Sequence, residues 1–154
     1  VALAVYADGG AAGVWFYTVG AGAHLTDQLP IGKKGYAFTV HGPTGFLRRF
    51  TAKATAPAVT IEPRYDAATE SLVLVLGNTG NAPVTISVRP HTYMDAPARN
   101  HRLAPGMTVE DPWPIAASDH WYELEARGAG AVWRFAGHCE TGRPSWSDPA
   151  LGLA

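Results

Sequence analysis

The chain has 154 residues, of which 47% are hydrophobic and 16% are charged. With 17 glycines, 12 prolines and five tryptophans, this composition favours a compact, turn-rich β protein and argues against a helical bundle or a disordered tail. The net charge is −1, and the only tight basic clusters are Lys33-Lys34 and Arg48-Arg49, so nucleic acid is not an expected partner.

Alternating apolar and polar residues predict strands along most of the chain. The first lies at the start, a second contains Tyr36, Phe38 and Val40, and others span residues 59–65, 72–76, 84–88 and 122–126. No helix-length window shows an apolar stripe with caps, and apolar runs such as residues 72–76 are too short to cross a membrane. We therefore predict an all-β fold.

The chain contains one cysteine, Cys139, which cannot form an internal disulfide or complete a zinc site by itself. Stability must therefore come from an apolar core. The sequence opens without methionine and without a signal-peptide pattern, which favours a fragment or a mature product.

The sequence also repeats itself, with few identities but with its turns in the same order. The matched stretches are residues 2–16 with 72–86, 17–31 with 101–115, 36–40 with 122–126, and 49–50 with 134–135. In this alignment Asp27 falls on Asp111, and Arg49 falls on Arg134. We expect two tandem immunoglobulin-like antiparallel β-sandwich repeats.

The alignment predicts that the first repeat is incomplete. It has no counterpart of the strand at residues 59–65, and residues 87–100 also lack a partner. In the alignment, the counterpart of residues 87–100 would lie between Phe16 and Tyr17, where we expect a missing loop. The first repeat is therefore assigned to residues 1–53, and the second to residues 58–154 with a C-terminal strap. The joint at residues 51–57 is too short to be a flexible tether.

Two motifs carry a resemblance to a known family. Residues 41–50 read HGPTGFLRRF, and residues 136–152 read AGHCETGRPSWSDPALG. Both resemble signatures of the C-terminal repeat domain of bacterial phosphocholine-type phospholipases C, and the resemblance covers essentially the whole chain. One departure is that the second repeat has Ala131-Val-Trp-Arg134 where the family usually has a step like Phe-Leu-Arg-Arg.

The resemblance implies that the parent protein is a secreted or periplasmic phospholipase C. In that family the catalytic metal ligands and nucleophile lie in a large N-terminal domain, which is not part of this chain. The implied partner is that catalytic domain, and a phospholipid membrane surface is a second candidate.

The residues independently favour a chain that is not an enzyme and needs no cofactor. Hydrolysis of a phosphodiester needs metal ligands, or a nucleophile with a base, in one pocket. The sequence has no His-x-x-x-His, no Asp-x-Asp and no glycine-rich phosphate loop opening a helix. Only His138 and Glu140 are spaced to share a metal ion, and we favour structural roles for them. Ser145, Ser147 and Asp148 lack a nucleophile elbow and indicate a terminal turn.

Three arginines, Arg48, Arg49 and Arg134, are candidate contact residues. Alternation in their strands means that at least one guanidinium must lie over an aromatic ring or pair with a carboxylate. One interpretation is a structural ion pair or stack, with Asp27 and Asp111 as the suggested partners. The other is a contact to a phosphate head group.

The five tryptophans leave three alternatives open. They could fill the core, form an exposed row that binds carbohydrate, or lie at one tip beside Lys33-Lys34 and contact a membrane. Trp15 and Trp121 are out of phase with their apolar neighbours and are the expected exposed ones. The leading function is an accessory region that stabilises or docks the catalytic domain or assists lipid-surface binding. The alternative is a carbohydrate- or protein-binding sandwich.

Overall fold

The protein is all-β, as predicted, in a computed structural model that describes residues 1–7, 13–53 and 58–150. Strands of the first unit, residues 1–53, are β1 (Ala2–Ala7), β2 (Val14–Thr18), β3 (Gly35–His41) and β4 (Leu47–Lys53). Those of the second unit, residues 58–150, are β5 (Val59–Asp66), β6 (Ser71–Asn78), β7 (Val84–Pro90), β8 (Arg99–Leu103), β9 (Thr108–Pro114), β10 (Trp121–Gly128) and β11 (Ala131–His138). The helical structure within the described ranges is one short turn, Ala116–Ser118, and none of it could span a bilayer.

The second unit is a two-layer β-sandwich. One layer is the three-stranded sheet β5-β6-β9, and the other consists of β8, β7, β10 and β11. Alternation directs Leu72, Leu74 and Leu76 of β6 inward, where they share a core with Trp113 and Phe135. Each of these side chains is at least nine-tenths buried, which makes this sandwich the apolar centre of the molecule.

The described strands of the first unit extend one layer of that sandwich. These strands run in the order β2-β1-β3-β4, and β4 pairs antiparallel with β11, so that eight strands form one continuous sheet. The order β8-β7-β10-β11 on the other side of this seam mirrors β2-β1-β3-β4. The sheet therefore has an approximate two-fold axis at the seam, where Arg49 lies directly opposite Arg134.

The structure corrects one detail of the first repeat. The sequence alignment matched β1 of the first repeat to β6 of the second. In the structure β1 pairs with β3, as β7 pairs with β10, so the counterpart of β1 is β7. Phe16 and Tyr17, between which the alignment places the missing loop, are consecutive residues of the strand β2. Alternating apolar strands resemble one another in sequence, and only pairing distinguishes them.

A second layer is not found among the described residues of the first unit. In the second unit β9 pairs with β6. The matching residues 20–34 are mostly irregular, with two short turns and one isolated bridge between Gly32 and Gly35. A strand needs a partner for its backbone groups, and no described strand of the first unit takes the position of β6. The prediction of two tandem sandwiches therefore describes the second unit, while the described part of the first is a single layer.

Two connecting segments complete the chain. The predicted joint at residues 51–57 begins inside β4, and residues 54–57 lie outside the described ranges. The described part of the tail contacts the second unit. The Tyr93 hydroxyl donates to Asp148 at 2.8 Å, and the Trp121 indole N–H donates to the Trp146 carbonyl at 3.2 Å.

Candidate functional site

Arg48 is built into the inner side of the seam. Its guanidinium carbon lies 4.3 Å from the centre of the Phe46 ring and 5.4 Å from that of Phe135. It donates to the Leu47 and Ala136 carbonyls at 2.8 and 2.9 Å and to the Tyr122 hydroxyl at 2.9 Å. The structure thus shows a stacked, hydrogen-bonded arginine that joins the two units.

Arg134 lies on the opposite, outer side of the same sheet. Its Nε donates to Glu123 Oε1 at 2.7 Å, and Nη2 contacts the same oxygen. Burial disfavours the charged form of Glu123, but hydrogen bonds from Thr92 and Arg134 outweigh it, so the pKa of this carboxyl is lowered. Arg134 therefore pairs with Glu123 on the neighbouring strand. The sequence had suggested Asp111 as its partner.

The predicted aspartate partners have other contacts. Asp111 is almost fully buried and accepts from Arg99 Nη1 and from the Trp113 indole N–H, both at 2.8 Å. Asp27 accepts from the Tyr17 hydroxyl at 2.5 Å. The two aspartates recur in register but accept from different donors, so the suggested pairing with Arg48 and Arg134 is wrong.

The tryptophans are mostly structural. Trp113, Trp121 and Trp133 are buried, Trp15 is half-buried, and Trp146 is exposed. Trp121 lies on the outer side of the sheet, as its phase predicted, yet only 5% of it is exposed because Tyr93, His138 and the tail cover it. The described residues therefore present no row of exposed tryptophans, which was the feature expected of a carbohydrate platform.

The histidines do not converge on a metal site. His138 contacts Glu140 at 3.2 Å through Nδ1, while its Nε2 lies 2.9 Å from the Asp119 carbonyl. Across residues 1–7, 13–53 and 58–150, no group of three or more histidine, cysteine, aspartate or glutamate side chains could hold a metal ion.

One face of the first unit lacks the cover that its counterpart has. The strand registers show which residues are equivalent in the two units. Leu3 corresponds to Ile86, Tyr36 to Tyr122, and Val40 to Ala126. Ile86 and Ala126 are fully buried and Tyr122 is nearly so, because the sheet β5-β6-β9 covers them. Leu3, Tyr36 and Val40 remain partly exposed.

We call this surface the open face, and define it as Leu3, Val5, Trp15, Tyr17, Tyr36, Phe38 and Val40. Its aromatic rings contact each other: the Tyr36 and Phe38 rings stack with centroids 5.7 Å apart, and Trp15 meets Phe38 edge-on at 6.4 Å. Only Val5 and Phe38 in this set are buried. The sequence predicted the aromatic residues but not that they share one partly exposed face.

A family model described as "Bacterial phospholipase C, C-terminal domain" matches residues 1–52 and 57–138. The chain belongs to this phospholipase C C-terminal family. The two stretches that the family model matches correspond to the two units that meet at the β4–β11 seam.

Curated relatives agree with the family assignment. The chain is 40% identical over 152 residues to the non-hemolytic phospholipase C of Burkholderia pseudomallei, with 92% of this chain and 22% of that protein aligned. It is 35% identical over 136 residues to the hemolytic phospholipase C of Pseudomonas aeruginosa, with 83% and 19% aligned. The non-hemolytic phospholipase C of the same organism is 34% identical over 148 residues, with 89% and 21% aligned. The chain spans about a fifth of the length of these relatives.

Proposed function

We propose that this chain is a non-catalytic accessory region of a secreted bacterial phospholipase C, and that its open face docks on the rest of that enzyme. The region comprises two related repeats, residues 1–53 and residues 58–154. The parent would hydrolyse phosphatidylcholine in a catalytic domain outside this chain, which follows from the family resemblance.

The observation that carries the proposal is the difference in cover between matched positions. Ile86 and Ala126 are fully buried by a second layer, but Leu3 and Val40, which occupy the equivalent positions, are partly exposed. A contiguous apolar face with several aromatic rings is typical of a surface that another part of a protein covers. The occupant is the remaining polypeptide of the phospholipase, because the aligned relatives are about five times longer than this chain.

The test is binding between this chain and the remainder of the phospholipase that carries it, measured by isothermal titration calorimetry. We expect Trp15→Ala to raise the dissociation constant at least about tenfold, because truncating a large aromatic contact in an interface often costs more than 1 kcal/mol. Neither the wild-type chain nor the variant should hydrolyse a phosphocholine ester by itself.

Phe16→Ala is the matched control, because Phe16 is adjacent in sequence but lies on the opposite side of the sheet. It should bind like the wild type, and thermal unfolding of each variant checks that the fold is intact. Equal affinity for Trp15→Ala and Phe16→Ala, or no association of the wild-type chain, would refute docking through the open face.

A further inference from the structure

The outer side of the eight-stranded sheet carries a continuous row of side chains across seven strands. Directly paired residues lie on the same face, and the registers connect the following positions in order. The row is Val14, Tyr6, Thr39, Arg49, Arg134, Glu125 and Arg89. Strands are spaced about 4.8 Å apart, so this row extends roughly 30 Å along the surface.

The charges on this side are predominantly basic. The outward-facing basic side chains on its strands are Arg49, Lys53, Arg89, Arg102, Arg127 and Arg134. The outward-facing carboxylates on the same described strands are Glu123 and Glu125. The outer side of β5-β6-β9 instead carries Glu62, Arg64 and Glu110. A chain with a net charge of −1 therefore concentrates positive charge on one of its two outer sides.

The carboxylates lie beneath the arginines. The side chain of Glu125 is 8% exposed, whereas those of its partners Arg89 and Arg127 are 47% and 56% exposed. Glu123 and Arg134 show the same order, at 11% and 37%. A partner that approaches this side meets guanidinium groups first, and the ion pairs below hold those groups in place.

Apolar side chains continue the same surface at the β2 end of the sheet. Phe16 is 77% exposed, Val14 is 50% exposed and Tyr6 is 38% exposed, all on the outer side. We call the outer basic residues together with Tyr6, Val14 and Phe16 the outer face. Extended positive charge with adjoining exposed aromatic and aliphatic groups is the pattern of proteins that bind at an anionic bilayer surface.

We propose that the outer face binds the surface of phospholipid bilayers that contain anionic lipids. The basic residues lie against the head groups, and Phe16 and Val14 enter the interface between head groups and acyl chains. A bilayer fits better than a single phosphate ligand because the charges are spread along the sheet and do not converge on a pocket. The outer face lies opposite the open face, so this inference does not rest on the docking proposal.

The test is co-sedimentation of the full 154-residue chain with phosphatidylcholine vesicles, with and without about 30% phosphatidylglycerol. Binding should require the anionic lipid and should be released by about 0.5 M NaCl, because salt screens surface charge. Reversing two exposed charges in Lys53→Glu/Arg102→Glu should lower the partition coefficient at least about tenfold. Phe16→Ser should lower it severalfold.

Arg64→Glu/Arg143→Glu is the matched control, since it changes the net charge equally at exposed positions, Arg64 on the outer side of β5 and Arg143 beside Tyr65 and Glu70. Trp15→Ala is the control for Phe16→Ser. Both controls should bind like the wild type. Equal losses for the two double variants, equal binding to neutral and anionic vesicles, or no binding at all would overturn the proposal. It would also be overturned if the outer-face variants affected only association with the rest of the phospholipase.

Discussion

Neighbouring arginines in the HGPTGFLRRF motif have separate roles because they lie on opposite sides of β4. Arg48 stacks on the Phe46 and Phe135 rings and donates to two backbone carbonyls and the Tyr122 hydroxyl. Arg49 lies on the outer side, opposite Arg134. The motif therefore combines one residue that joins the two units with one that contributes to the outer face.

Replacing Arg48 should destabilise the fold more than replacing Arg49. We expect Arg48→Ala to lower the free energy of unfolding by about 2 kcal/mol, because it removes charged hydrogen bonds and leaves buried acceptors without a donor. Arg49→Ala should cost less than about 1 kcal/mol, as is usual for an exposed charge. Urea unfolding followed by tryptophan fluorescence measures both, and equal losses would contradict this division.

At the level of elements, the turn between β3 and β4 connects the first unit to the second. Gly45 in this turn has φ +67°, and a Cβ there would lie 3.0 Å from Cζ3 of Trp121. The turn thus packs against a tryptophan of the second unit. Glycine is needed at this position both for its backbone conformation and for the close approach.

Alanine substitution separates these two requirements. Gly106 has a similar φ of +74°, but a Cβ there would meet nothing within 4 Å. Gly106→Ala should cost roughly 1–2 kcal/mol from backbone strain alone. Gly45→Ala should cost more and should change the near-ultraviolet circular dichroism, because the Trp121 ring must move. Equal free energies of unfolding for the two variants would show that the turn does not press on Trp121.

The ion pairs between strands β7, β10 and β11 should make the protein sensitive to acid. Burial opposes ionisation of Glu125, but hydrogen bonds and charges of Arg127 and Arg89 outweigh it and lower the pKa of this carboxyl, and the pKa of Glu123 is lowered likewise. A carboxylate whose folded pKa is lowered stabilises the fold above its unfolded pKa. That stabilisation is lost as the pH falls through the folded pKa.

Removing one of these carboxylates should therefore flatten the acid limb of the stability curve. Glu123→Gln should lower the free energy of unfolding by about 2 kcal/mol at neutral pH, because Arg134 loses its partner. Below the ordinary carboxyl pKa of 4.5 the difference from the wild type should shrink. Glu110→Gln, which affects the exposed pair with Arg64, is the control and should change stability by less than about 1 kcal/mol. Thermal unfolding as a function of pH distinguishes these outcomes.

At the scale of the whole molecule, local patterns predicted the elements but not how they assemble. Alternation identified the β fold and the strand around Leu74, because period-two burial is a local property of the sequence. The alignment placed Arg49 on Arg134, yet it could not show that they meet across a seam. The alignment also matched β1 to the wrong strand of the second repeat, because β1 and β6 are both apolar strands of similar sequence.

The candidate surfaces were harder to predict for the same reason. The outer face depends on the register between β4 and β11, which no local pattern specifies. Trp121 has the phase of an exposed residue, but its cover comes from Tyr93 and from the tail around Trp146. Long-range contacts of this kind are set by the assembled fold and not by the residues that flank the side chain.

The seam between β4 and β11 also has a consequence for the order of events during synthesis. The Arg48 guanidinium and its acceptor, the Ala136 carbonyl, are 88 positions apart, and all the residues between them must leave the ribosome before they meet. The first unit is synthesised first, but its final strand, β4, has a neighbour on both sides only after β11 has been synthesised. Contacts so distant along the chain slow folding. The usual sequence of nascent domains, with the N-terminal one finished first, therefore does not hold for β4, because its second neighbour, β11, is the last described strand to be synthesised.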